Sequence, residues 1–129
     1  MRIPIRADAD VVVARQGVRE LAGRLGFSGT DLTVIATAVS EVARNVVRFA
    51  GAGNVIAELL DEPRPGLHIV CRDTGPGITD VDQALSDGFS TYHGLGLGLP
   101  GARRLMDEFA VHSEPGLGTT VTMTKWRRE

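Results

Sequence analysis

Apolar residues recur along this chain with two different spacings, and each change of spacing marks a change of element. Ile3 and Ile5 alternate with charged or small neighbours between Met1 and Arg6, which predicts a short edge strand that tolerates Pro4. From Asp10 to Leu25 the spacing lengthens to three and four. Val11, Val12, Arg15, Val18, Leu21, Ala22 and Leu25 predict a helix there, ended by Gly26. A second helix, capped by Ser28 or Thr30, carries one apolar stripe through Leu32, Ile35, Val39, Val42 and Val46 and ends near Gly51.

Two β-rich runs, Asn54 to Leu60 and Gly66 to Arg72, flank a polar turn at 61–65 and predict antiparallel strands. Thr79 to Gly88 holds at most one helical turn, around Val81 and Leu85. Helical spacing resumes from Leu97 to Phe109, and Pro100, tolerable only in a first turn, places the start near Leu99. Val111 to Ser113 and Thr119 to Trp126 close the chain as strands around a turn with Pro115, Gly116 and Gly118. This order lacks the alternation of a doubly wound fold. It predicts a mixed or antiparallel sheet with its helices on one face.

Composition narrows the class. The 129 residues fit one domain over 1–129, and 43% hydrophobic with 23% charged residues is the balance of a soluble globular protein. Net charge is -2 and Lys125 is the one lysine among 14 basic residues, so no polybasic surface for nucleic acid or anionic lipid is expected. No apolar run approaches the roughly 20 residues of a membrane span, and the N-terminus lacks the apolar core of a signal peptide. The expected location is the cytoplasm. Cys71, the sole cysteine, sits in a strand-like run and reads as a small buried side chain. His68, His93 and His112 are too dispersed for a local metal motif.

Three polar or glycine-rich constellations carry candidate chemistry. SEVARN, Ser40 to Asn45, lies in the long predicted helix, where Glu41 and Asn45 share a face one turn apart. Asn45 stands about 90° from the middle of the apolar stripe, at the rim of the core, where its oxygen suits a hard cation such as magnesium. A carboxylate one turn away can take a proton from an attacking hydroxyl or water. Taken alone, the pair reads first as the exposed side of an amphipathic helix.

DTGPGI, Asp73 to Ile78, directly follows a strand. Gly75 and Gly77 permit close approach of a ligand, and Pro76 stiffens the turn between them. An aspartate beside such a turn can accept from an adenine amino group; a tight turn with a solvated Asp73 accounts for the same letters. HGLGLGLPG, His93 to Gly101, alternates Gly94, Gly96 and Gly98 with Leu95, Leu97 and Leu99 and leads into a helix. Bare N–H groups there suit phosphate oxygens, while the leucines anchor the segment. The G-K-[ST] ending of a Walker loop is missing, as is the setting of a dinucleotide fold, so a different nucleotide fold is required. A flexible hinge is the plain alternative.

The order Glu41-x-x-x-Asn45, Asp73-x-Gly75-x-Gly77, Gly94-x-Gly96-x-Gly98 and Gly118-Thr119 resembles the GHKL ATP-binding superfamily, which includes gyrase, heat-shock protein 90, histidine kinases and anti-sigma-factor kinases. Within it, DGFSTYHGLGLGLPGARRLMDEF, with ARQ at Ala14 to Gln16, ARN at Ala43 to Asn45 and the terminal TKW, resembles the RsbT-type switch kinases over nearly the whole chain.

That resemblance implies the Bergerat, or histidine kinase-like ATPase, fold. This is an α/β (α+β) two-layer sandwich whose mixed, largely antiparallel sheet is covered on one face by helices, with ATP between the helices and a lid. It implies that Asn45 binds Mg2+, that Asp73 holds the adenine amino group with Thr119 in support, and that Gly75 and Gly77 shape the base pocket. It further implies phosphates held by Gly94, Leu95, Gly96, Leu97 and Gly98, a general base in Glu41, and a lid over Thr79 to His93. The implied activity is phosphorylation of a serine or threonine on a STAS-domain antagonist or scaffold protein in a stress or sigma-factor pathway. The freed kinase then activates a PP2C-type phosphatase. The alternative is an anti-sigma factor that sequesters a sigma subunit, with nucleotide choosing between partners. Two departures stand out: Val46-Val47-Arg48 replaces the basic and histidine pattern of many histidine kinases, and Tyr92-His93 stands where the family carries smaller residues.

Overall fold

The computed structural model describes residues 1–77 and 98–128. Strand β1 spans Arg2–Ile5, helix α1 Asp8–Arg24 and helix α2 Gly29–Asn45, continued by a π turn at Val46–Ala50. Strands β2, Gly53–Leu60, and β3, Gly66–Asp73, follow; then come helix α3, Gly98–Leu105, and strands β4, Glu108–Glu114, and β5, Gly118–Trp126. The strands form one sheet in the order β1-β2-β3-β5-β4, antiparallel at every pairing. The expected two-layer sandwich is present, and its sheet has no parallel pair among the described residues.

Local chemistry sets the helix starts. Asp10 Oδ2 accepts from the N–H groups of Arg6 at 2.8 Å and Ala7 at 3.1 Å, which draws the start of α1 back to Asp8. Ser28, not Thr30, caps α2: its Oγ accepts from the Asp31 N–H at 3.1 Å, a contact that contributes about 1 kcal/mol. The buried face of α1 is Val11, Ala14, Val18 and Ala22, whereas Val12 is exposed. The two alanines are fully buried and α1 packs against α2; an apolar tally does not register so small a side chain.

Alternation along the strands puts Val55, Cys71, Val121 and Val111 in one row and Ala57, Ile69, Met123 and Phe109 in the next, both on the helix-covered face. Helix α2 lies between α1 and α3 and supplies Ile35, Ala38, Val39 and Val42 to the same core. The opposite face carries Asn54, Glu58, His68, Arg72, Thr120 and His112.

Two expectations need correction. The helix after the glycine run ends at Leu105 instead of near Phe109, and β4 begins at Glu108 instead of Val111. Lys125 Nζ donates to the Leu105 carbonyl at 3.1 Å and the Asp107 N–H to the Thr124 carbonyl at 3.0 Å, so the chain turns at once into the sheet, where Phe109 pairs with Met123. The second helix also does not continue unbroken to Gly51. Beyond Asn45 the bonding lengthens by one residue, with the Gly51 N–H donating to the Val46 carbonyl at 2.8 Å. A straight continuation carries the apolar stripe from Val46 to Phe49; the extra residue puts Ala50 against the core and leaves Phe49 48% exposed.

Candidate nucleotide site

Asp73 ends β3 and organises the turn that follows. Its Oδ1 accepts from the Gly75 N–H at 2.9 Å and from the Thr119 N–H at 3.2 Å, so one oxygen ties the DTGPG turn to the start of β5. Its Oδ2 has no partner among the described residues. The hydroxyls of Thr119 and Ser113 lie 2.8 Å apart beneath this pair. The turn also meets the β4–β5 connection, where the Gly116 N–H donates to the Pro76 carbonyl at 2.7 Å. Gly118, at φ 114, runs so close beneath Asp73 that a methyl there collides with the Asp73 carbonyl; at Gly77 the collision is with the Glu114 carbonyl.

Glu41 occupies the other half of the site. It is only 7% exposed, and both carboxylate oxygens are engaged: Oε1 accepts from the Arg44 guanidinium at 2.8 Å and Oε2 from the Gly98 N–H at 2.7 Å. The Gly98 N–H is the first of α3, so the carboxylate sits where a helix carries partial positive charge. Asn45 is half-buried one turn further on, and its side chain makes no hydrogen bond among the described residues.

Two close packings join the halves. Val46, directly after Asn45, lies against Gly53, which pairs with Asp73 across β2 and β3; Ala50 lies against Gly75, so closely that a methyl on Gly75 would stand 2.5 Å from the Ala50 Cβ. The end of α2 and the turn after β3 therefore share one neighbourhood.

Of the residues singled out by sequence, the structure brings Glu41, Asn45, Asp73, Gly75, Gly77, Gly98 and Thr119 around this junction. Gly94, Leu95, Gly96, Leu97 and the proposed lid, Thr79 to His93, lie outside the described residues. Sequence reasoning missed Arg44, although its position three residues after Glu41 is the spacing of a helical ion pair. It also missed the Ser113–Thr119 pair, for which no sequence signal exists. Cys71 behaves as expected of a buried residue: it is 2% exposed, and burial together with the neighbouring Asp73 charge pushes its thiol up from 9.0 to about 12.

The family model described as the histidine kinase-like ATPase domain matches residues 4–125. The chain belongs to the histidine kinase-like ATPase family. This histidine kinase-like ATPase is 46% identical over 127 residues to the serine/threonine-protein kinase RsbT of Bacillus subtilis, covering 98% of this chain and 96% of that one. It is 32% identical over 119 residues to an anti-sigma F factor of Bacillus licheniformis, covering 87% and 81%. It is 35% identical over 121 residues to one from Caldanaerobacter subterraneus, covering 88% and 82%.

The site suits the nucleotide of such an ATPase. Among the described residues, Asp73 offers an unused acceptor oxygen beside a glycine-lined turn, and Asn45 offers an amide oxygen not spent on the protein. No helix of the described residues is long and apolar enough to cross a membrane.

Proposed function

We propose that this chain is a cytoplasmic, ATP-dependent protein serine/threonine kinase of a bacterial partner-switching pathway. Its substrate is a serine or threonine hydroxyl on a STAS-domain antagonist or scaffold protein, and once released it binds and activates a PP2C-type phosphatase. The observation that carries the reading is the Glu41 carboxylate, buried at the start of α3 and one helical turn from Asn45. The likeness to an RsbT kinase supports the same reading.

Bound ATP with Mg2+ supplies the phosphoryl group and the cation that offsets its charge. Asp73 Oδ2 accepts from the adenine amino group, while Oδ1 holds the turn and Thr119 in place. Gly75 and Gly77 line the base side. Asn45 gives its amide oxygen to the cation, and the N–H groups of the segment Gly94 to Gly98 hold the phosphates. Glu41 receives the proton of the substrate hydroxyl, a contribution of about 10²–10⁴-fold for a positioned base.

The test is incubation with labelled ATP, Mg2+ and the STAS-domain proteins of the same genome, followed by mapping of the modified residue. Label on a serine or threonine of one of them is expected. No transfer to any of them, with capture of a sigma subunit in a pull-down, replaces the kinase by the anti-sigma reading that relatives of 32% and 35% identity suggest.

A further inference from the structure

We infer that Arg44 is the positioning residue that readies Glu41 for catalysis when nucleotide arrives; this rests on the kinase reading above. The carboxylate of Glu41 is held by two donors from different elements, the Arg44 guanidinium on Oε1 at 2.8 Å and the Gly98 N–H on Oε2 at 2.7 Å. Each of these bonds favours the ionised carboxylate and so weakens it as a base. Release of one donor strengthens it.

The two donors differ in what else they can bind. Gly98 opens α3 and closes the run Gly94 to Gly98, and the first N–H of a helix is a natural partner for a phosphate oxygen. Arg44 stands in the last turn of α2, three residues from Glu41, and carries a guanidinium suited to holding a carboxylate oxygen. Phosphate oxygens at the start of α3 therefore release Oε2 by taking over the Gly98 N–H, while Arg44 keeps Oε1.

Arg44 then fixes the rotamer of a carboxylate that has lost its other anchor, so Oε2 faces the incoming hydroxyl. In the transfer, the hydroxyl proton passes to Oε2 as the hydroxyl oxygen bonds to the γ-phosphorus. The bond from that phosphorus to the β–γ bridging oxygen breaks, and ADP leaves with its electron pair.

An ordinary ion pair three residues apart on a helix would leave the rate unchanged once the protein is folded. The experiment compares wild type, R44Q, R44K, E41Q and the double variant E41Q/R44Q. Single-turnover transfer from labelled ATP and Mg2+ to the STAS-domain protein gives the rate, and calorimetric titration with ATP and Mg2+ gives the affinity.

R44Q is expected to slow transfer roughly 10- to 100-fold, below the ceiling for losing the base itself, with ATP affinity changed less than about threefold. R44K recovers part of the rate. In the E41Q background the same R44Q change costs less than about twofold, because Arg44 acts only through Glu41. R44Q as fast as wild type, an equal loss in both backgrounds, or ATP affinity falling in step with rate overturns the inference. A wild type that labels no STAS-domain protein overturns the kinase reading as well, so the two failures are distinguished by the wild-type arm.

Discussion

The N–H of Gly98 donates to Oε2 of Glu41 at 2.7 Å, joining residues 57 apart in sequence. One carboxylate thus anchors the start of α3 and is the candidate base. Glu41→Gln keeps an acceptor for Gly98, turns an amino group toward the half-exposed Arg44 and loses the base, so phosphorylation should fall about 10²–10⁴-fold with a smaller loss of melting temperature than truncation causes. Glu41→Ala removes the acceptor too and should also cost about 1–3 kcal/mol of stability. Thermal unfolding beside labelled-ATP transfer separates the two, and near-normal transfer by the glutamine variant excludes Glu41 as the base.

Asp73→Asn tests the adenine contact. The asparagine oxygen can still accept from Gly75 and Thr119, but its amino group then faces the position where Oδ2 would accept. Calorimetry should show ATP affinity reduced at least about tenfold, or roughly 1.4 kcal/mol, in a protein whose unfolding is little altered. Unchanged affinity would remove Asp73 from the site.

Cys71 should resist thiol reagents at pH 8 until the chain unfolds, since burial and the Asp73 charge hold its proton to about 12 against an ordinary 9.0. The folded state therefore keeps a proton that the unfolded chain releases. Stability from this group is complete below pH 9 and declines as pH rises toward 12, by at most about 1.4 kcal/mol per pH unit. Denaturant titrations across that range should show a steeper decline for wild type than for Cys71→Ala. Equal slopes would mean the thiol titrates normally.

Lys125, 7% exposed, holds the far end of α3 through the Leu105 carbonyl at 3.1 Å and stands 3.8 Å from Asp107. Lys125→Met leaves that carbonyl without its donor, while Asp107 keeps Arg128 at 2.7 Å and the Trp126 N–H at 2.8 Å. The expected loss is about 1–3 kcal/mol, measured by urea unfolding. A variant as stable as wild type would mean that the buried ammonium holds nothing in place.

The layout was legible where period and punctuation agree. Strand β1 with Pro4, the stops at Gly26 and Gly51 and the pairing of β2 with β3 follow from spacing and turn residues alone. The end of α3 was not legible, because no glycine or proline marks it; a lysine 20 residues away does. In the site, Glu41 and Asn45 could be placed on one face by counting, and Asp73 by the glycines after it. That Glu41 is buried and bound on both oxygens depends on Gly98 coming alongside, a tertiary fact that a pattern along one helix does not contain.

The π turn at Val46–Ala50 makes the helical tally run one place late by the time the chain reaches Gly51. Wind the same residues there as a plain α-helix, and the bulky ring of Phe49 swings inward to where Ala50 now meets Gly75, a spot too tight even for one added methyl. The loop carrying Asp73 would have to retreat from the helix. A greasy ring left standing in water is thus the trade by which this domain keeps its long helix seated over a glycine.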